Sequence, residues 1–240
     1  MTTALVLGGA GGIGAAVTRR LAADHDVTIT HHGHPERAEA LAAQLSEDGG
    51  RQVTTLAVDA TTEEGVIAAF DAAQAQGELT VVVDCVGGWD YPKITDLTSE
   101  QINDSLALNL VSALLVLREA ARRVADGGRV VMLSSAAARV APARQSTYAA
   151  AKAGLEAATK VTAKEVAKRG ITVNVVRPGA TDTEYMRSIT ADKAIEAMSS
   201  SNAMRRLGTP EDIAGVVAFL VSEDARWITG DVIDASGGLG

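Results

Sequence analysis

The sequence predicts an α/β fold built on a doubly wound parallel sheet, and three observations predict it. Short valine-rich runs recur that are apolar on both faces, as strands covered by helices above and below must be. The segments between them carry apolar residues at helical spacing. Strand and helix then alternate along all 240 residues, a pattern that demands right-handed βαβ crossovers with helices on both sheet faces.

Seven strands are expected: ALVLG at 4–8, VTIT at 27–30, TTLAVD at 54–59, TVVVD at 80–84, RVVMLS at 129–134, ITVNVV at 171–176 and DVID at 231–234. Between them, GAAVTRRLAADH, PERAEALAAQLSEDG and TEEGVIAAFDAAQAQG read as amphipathic helices. No internal repeat, low-complexity tract or linker divides the chain, so residues 1–240 are expected to form one domain. The irregular stretch at 180–208 is long for a connection in such a fold, which makes it a candidate lid over a ligand.

Composition narrows the function classes. With 47% hydrophobic and 22% charged residues the chain is an ordinary globular protein. A net charge of -8 argues against nucleic acid as a partner. Cys85 is the single cysteine and has no partner for an internal disulfide, and the four histidines lack zinc-site spacing, so no metal is expected. The N-terminus has no secretory pattern, and no uncharged apolar run reaches about 18 residues. A cytoplasmic protein without a membrane partner is expected.

The first strand runs into GGAGGIG at 8–14. Gly8, Gly11, Gly12 and Gly14 allow a sharp turn and close backbone approach, while the helix that follows offers its N-terminal amides to a pyrophosphate. A plain structural turn is the competing reading. Farther along, STYAAAKAG at 146–154 sets a phenol, Tyr148, and an amine, Lys152, one helical turn apart on the same face. An ammonium so placed is expected to depress the phenol's pKa. An ordinary amphipathic helix would place such a pair by chance, so Tyr148 and Lys152 alone say little.

Taken in order, GxxxGIG at 8–14, Asp59 after the third strand, Asn109 in the fourth helix, Ser135 after the fifth strand, and Tyr148 and Lys152 form a more specific series. NVVRPGATDT at 174–183, RRLGTPEDIA at 205–214 and ITGDVIDASGG at 228–238 extend it to the C-terminus. Over its whole length the chain resembles the short-chain dehydrogenase/reductase family, and is similar to its 3-oxoacyl-carrier-protein reductases. The resemblance implies a Rossmann-type seven-stranded sheet and an NAD(P)-dependent oxidoreductase acting on CH-OH groups.

It also implies roles. Tyr148 would pass a proton to or from the substrate oxygen, Lys152 would bond the nicotinamide ribose and lower the phenol pKa, Ser135 would hold the carbonyl oxygen, and Asn109 would position a water. Gly8, Gly11, Gly12, Ile13, Gly14, His31, His32, Asp59, Ala60, Gly87, Pro178, Gly179 and Thr181 would line the cofactor site along with Tyr148 and Lys152. Bland alternatives stand beside these: Asn109 as a buried amide bonding backbone, Asp59 as a helix cap, Pro178 and Gly179 as a turn, and Ser134 as the hydroxyl in place of Ser135.

Two departures stand out. Leu7 replaces the threonine that usually precedes the first glycine, and Asp84-Cys85-Val86-Gly87 replaces Asn-Asn-Ala-Gly. Cys85 reads as a small buried hydrophobe. For substrate, Trp89, Tyr91, Tyr185 and Met186 would form an apolar pocket, with Arg139, Arg144 or Arg187 available to an anionic group. The expected reaction is reduction of a small-molecule carbonyl, free or carrier-bound, by NADPH. Oxidation of a sugar or steroid alcohol, and a dinucleotide-binding regulator without turnover, are the alternatives. NADP is preferred over NAD because the second strand ends in His31 and His32, followed by His34 and Arg37, with no carboxylate before Glu36. A homotetramer is expected, with a dimer second, through the helices that hold LNLVSALLVLREAA and YAAAKAGLEAATKVTAKEVA, and with the GGLG tail at another interface.

Overall fold

A computed structural model describes residues 2–49 and 51–239, so Gly240, the last residue of the GGLG tail, lies outside the described residues. All seven strands form, and they join one parallel sheet in the order β3-β2-β1-β4-β5-β6-β7. They are β1 (Thr2–Leu7), β2 (Asp26–His31), β3 (Val53–Ala57), β4 (Glu78–Asp84), β5 (Arg129–Leu133), β6 (Thr172–Pro178) and β7 (Val232–Ala235). The helices are α1 (Gly12–Leu21), α2 (Pro35–Gly49), α3 (Glu63–Gln76), α4 (Ser99–Leu106), α5 (Ser112–Arg123), α6 (Ala137–Val140), α7 (Ser146–Val166), α8 (Glu184–Ile189), α9 (Asp192–Ser200) and α10 (Pro210–Val221).

The two-faced apolar character of the strands is explained by two separate cores. Successive strand residues point to opposite faces, so β1 sends Ala4 and Val6 one way and Leu5 and Leu7 the other. On the first face, Val17 and Leu21 of α1, Leu41 of α2 and Val217 and Leu220 of α10 cover the sheet. On the second, Phe70 of α3, Val116 and Leu117 of α5 and Leu155 of α7 cover it. Strand order reverses at β1, which pairs with β2 on one side and β4 on the other. Ligands of such sheets lie at the carboxyl ends of the strands beside this reversal.

Three local features differ from the sequence expectation. The stretch at 180–208 is not irregular but carries α8 and α9, and α8 starts where the Thr183 hydroxyl accepts the Met186 amide at 3.2 Å. The third strand stops at Ala57, because Asp59 folds into a tight turn. The helix holding Asn109 is interrupted by a π-helical turn at Ala107–Val111, between α4 and α5. Here the Asn109 and Ser112 side chains take up the carbonyls of Ser105 and Leu108 at 3.0 and 2.6 Å. Such insertions satisfy backbone groups that a wider turn leaves open.

The RRLGTPEDIA segment earns its place as a helix start. Thr209 and Asp212 form a reciprocal capping box, and Pro210 occupies the first turn, where its missing N–H costs nothing. Among the described residues, no helix is long and apolar enough to cross a membrane. None of their His, Cys, Asp and Glu side chains cluster to hold a metal.

Phe70 is fully enclosed in the second core. Phe70→Ala should therefore lower unfolding stability by about 3–5 kcal/mol, read from the denaturant midpoint, with the fold retained. A loss below about 1 kcal/mol would mean that this face is not close-packed.

Candidate active site

The β1–α1 loop is shaped by backbone constraints. Gly8 sits at φ +70°, a left-handed conformation that favours glycine. A Cβ on Gly14 would come within 2.2 Å of the Gly8 carbonyl oxygen, so only hydrogen fits there. Gly11 caps α1 without a side-chain hydrogen bond, which leaves the first-turn amides open to an anion. The hydroxyl lost at Leu7 is replaced from elsewhere. Leu7 packs into the second core, while the Gly8 amide donates to Thr30 Oγ1 at 3.1 Å and Thr18 Oγ1 lies 3.1 and 2.8 Å from the carbonyls of Gly9 and Gly14. Thr18 and Thr30 were not singled out in the sequence, because an isolated threonine on a helix or strand carries no motif.

A cavity of about 540 Å³ opens over this loop. Gly8, Gly11, Gly12, Ile13 and Gly14 form one wall, and Gly87, Ser135, Tyr148 and Lys152 form another. Pro178, Gly179 and Thr181 close it from the end of β6. Of the catalytic and cofactor candidates, Asn109, His31, His32, Asp59 and Ala60 do not line it. Asn109 lies behind the wall, 1% exposed, with Nδ2 donating to the Gly88 carbonyl at 2.9 Å and Oδ1 accepting the Gly88 amide at 3.1 Å. It thus clamps the loop after β4, the backbone-bonding arrangement, and sits against Gly87, whose added Cβ would meet Asn109 Oδ1 and Lys152 Nζ at 3.0 Å each.

His31 ends β2 and His32 follows it, both outside the cavity lining, and the enclosed His31 Nδ1 has no hydrogen-bond partner. Asp59 is exposed and not the helix cap; Thr62 caps α3 by accepting the Gly65 amide. Asp59 instead accepts the Thr61 amide and hydroxyl at 2.9 and 2.6 Å, and these bonds hold its pKa below the ordinary value. Ala60 is buried beside it. A cradle that only glycine fits and an unpartnered imidazole nitrogen at the neighbouring strand end are together compatible with a dinucleotide.

Ser135 and Ser134 part company. Both line the cavity, but the Ser134 hydroxyl is committed to the buried Glu156 carboxylate at 2.7 Å. Ser135 Oγ accepts the Ala137 amide at 3.1 Å, leaving its own hydrogen free to donate. Tyr148 is 8% exposed, and burial pushes its phenol up to about 12, with the Ser135 hydroxyl pulling the other way. The expected depression by Lys152 is therefore corrected. The ammonium donates to the carbonyls of Leu133 at 3.0 Å and Val86 at 3.3 Å, and lies 6.0 Å from the centre of the phenol ring. Desolvation in that position lowers the pKa of Lys152, with Asp84 opposing.

At the outer end Trp89 stands over Tyr148, ring centres 5.8 Å apart, and meets Tyr185 edge-on at 5.1 Å. Trp89 Nε1 donates to the Tyr91 hydroxyl at 3.0 Å, and the Tyr185 hydroxyl donates to the Trp89 carbonyl at 2.8 Å. Trp89, Tyr91, Tyr185 and Met186 all line the cavity. The three candidate arginines do not. Arg187 pairs with Asp182 through both carboxylate oxygens, Arg144 donates to the Tyr91 carbonyl at 2.6 Å, and Arg139 donates to the Leu239 carbonyl. Cys85 lines the cavity too, half-buried rather than fully enclosed, and burial raises its thiol pKa.

Residues 8–240 match the family model described as enoyl-(acyl carrier protein) reductase. The 3-oxoacyl-[acyl-carrier-protein] reductase MabA of Mycobacterium tuberculosis is 35% identical over 242 residues, covering 98% of this chain and 92% of MabA. Among solved structures, a short-chain dehydrogenase/reductase from Serratia marcescens superposes with a TM-score of 0.93 at 33% identity, covering 99% of this chain and 97% of the other. The angucycline C-6 ketoreductase LanV with bound NADP gives 0.92 at 31%, covering 99% and 95%. A complete ordered motif series, the strand order and these full-length likenesses agree: the chain is an NAD(P)-dependent oxidoreductase and belongs to the short-chain dehydrogenase/reductase family.

Proposed function

We propose that the protein is an NADPH-dependent ketoreductase that takes a neutral, largely apolar carbonyl substrate. One observation carries this reading: the Ser135 and Tyr148 hydroxyls face the same cavity and are coupled to each other, the phenol kept protonated, beneath an aromatic wall without a free arginine. A bound nicotinamide dinucleotide supplies the hydride. Ser135 donates a hydrogen bond to the carbonyl oxygen and stabilises the charge that develops there. Tyr148 gives its phenolic proton to the same oxygen, and its raised pKa keeps that proton in place throughout the neutral range. Lys152 supports the positive side of the site from its two backbone carbonyls, and Trp89 keeps water off the phenol.

A second reading comes from the description of the family model, an enoyl reductase. Conjugate reduction of an enone also places developing negative charge on the carbonyl oxygen, so the Ser135 and Tyr148 hydroxyls suit either reaction, and only the carbon that receives hydride separates the two. A panel of saturated ketones, enones and secondary alcohols with NADPH separates these readings from alcohol oxidation, and tight cofactor binding without turnover would support a regulator. With an accepted ketone, Tyr148→Phe should lower turnover by about two to four orders of magnitude while NADPH binding persists. Turnover like that of the wild type would remove Tyr148 as the proton donor.

NADPH as the cofactor is supported by the NADP bound to LanV and by the imidazole at the end of β2. A carboxylate in that place accepts from ribose hydroxyls and repels a 2′-phosphate. Catalytic efficiency should therefore favour NADPH in the wild type and shift toward NADH in His31→Asp. An unchanged preference would place the choice elsewhere.

Self-association belongs to the same proposal. Val111 and Leu114 are 43% and 45% exposed beside α4 and on α5, and Val161 on α7 is 55% exposed, so both long helices present unburied apolar side chains. Phe219 and Trp227, 46% and 96% exposed, offer a second apolar face near β7. Two such faces suit a tetramer with two-fold symmetry. Light scattering at micromolar concentration should give the tetramer mass, with the dimer second, and a monomer would contradict it.

A further inference from the structure

Two buried charges share one residue at the end of β4. The Val86 amide donates to Asp84 Oδ1 at 3.0 Å, and the Val86 carbonyl accepts Lys152 Nζ at 3.3 Å. Asp84 is 2% exposed and Lys152 3% exposed. The carboxylate and the ammonium do not touch, being farther apart than a 4.0 Å ion pair, but residue Val86 spans the gap through its N–H and its C=O, and both charges are buried away from bulk water. The flanking strands offer Asp84 only Leu7 of β1 and Met132 of β5. Cys85, whose thiol burial keeps neutral, and the uncharged Tyr148 ring are the other titratable neighbours of this pair. Asp84 and Lys152 are therefore each other's principal charge partner.

We propose that Asp84 is a positioning residue for the reaction: its carboxylate is the counter-charge that keeps Lys152 protonated inside the active-site wall. Burial alone disfavours the ammonium, and Asp84 is the largest influence that opposes it. The same coupling runs in reverse, since burial raises the Asp84 carboxyl to about 6 and Lys152 holds it back from rising further. The loop after β4, which departs from the family's Asn-Asn-Ala-Gly, thereby becomes part of the electrostatics of catalysis. Asparagine at position 84 could still accept the Val86 amide, so what aspartate adds is charge.

The test uses Asp84→Asn, which keeps shape and the Val86 hydrogen bond. Without its counter-charge Lys152 should lose its proton at lower pH, so the alkaline limb of the kcat profile for ketone reduction should move down by about one pH unit. Superimposable profiles would overturn the proposal. This part rests on the ketoreductase reading, so a second part is independent of turnover. A carboxyl whose folded value lies above its unfolded one binds its proton more tightly when folded, so its contribution to stability falls as pH rises. The wild type should lose stability relative to Asp84→Asn between about pH 4 and pH 6. In a Lys152→Met background the same Asp84-dependent loss should extend to higher pH, because the ammonium no longer favours the carboxylate. An identical window in both backgrounds would overturn the coupling whatever the enzyme's substrate. If Asp84→Asn does not fold, the Asp84 carboxyl ¹³C titration decides: its midpoint should rise from wild type to Lys152→Met, and an unmoved midpoint would overturn the proposal.

Discussion

The site depends on the anchoring of one ammonium. Lys152 reaches from α7 to the carbonyls of Leu133 and Val86, the last residue of β5 and a residue just past β4. Hydrogen bonds to a charged donor contribute about 1.5–3 kcal/mol each, and leaving that donor unpaired in the interior costs more. The helix is therefore held at one height against the strand ends. That height sets Tyr148 one turn above Lys152, Ser135 two residues past Leu133, and Gly87 one residue past Val86, all on a common wall. Asn109 secures the same loop from behind through the Gly88 backbone, and the π-helical turn gives its amide the reach to do so.

Enclosure gives this arrangement its chemical character. Tyr148 and Lys152 are both desolvated, and the effects on them are opposite: the phenol holds its proton more firmly and the ammonium less firmly. The first effect keeps Tyr148 protonated across the neutral range but makes it a weaker acid. The second is opposed by the carboxylate of Asp84. At the mouth of the cavity, the charged side chains that sequence proximity suggested for substrate are bound to Asp182, Tyr91 and Leu239, leaving aromatic surface to meet the ligand.

Much of the fold was legible because its signals are local. Strands covered on both sides must be apolar on both sides, and β1, β4 and β5 say so in their valines; the glycine loop and the capping segment at Thr209 are equally direct. The gathering of Ser135, Tyr148 and Lys152 could be read from their ordered spacing once the family resemblance was seen. What was not legible depends on contacts across the sheet. Thr18 and Thr30 take over a hydroxyl's work from Leu7 because three separate elements meet at the loop. The helices α8 and α9 are only six and nine residues long, too short for their periodicity to stand out from the flanking turns. The direction of the tyrosine shift was misjudged because i, i+4 spacing reports neighbourhood but not where an ammonium points, and here it points at backbone.

Hydride transfer from the bound nicotinamide to a carbonyl carbon, with a proton from Tyr148 to its oxygen, is the reaction that the Ser135–Tyr148 arrangement supports. It is tested most directly by turnover of a ketone with NADPH deuterated at C4 of the nicotinamide, assayed separately with each face labelled, followed by mass spectrometry and NMR of the product. The account predicts a secondary alcohol with one deuterium on the carbinol carbon from one of the two labelled faces and none elsewhere in the product. Deuterium on a carbon β to an intact carbonyl, formed from an enone while saturated ketones are left unreacted, would contradict it.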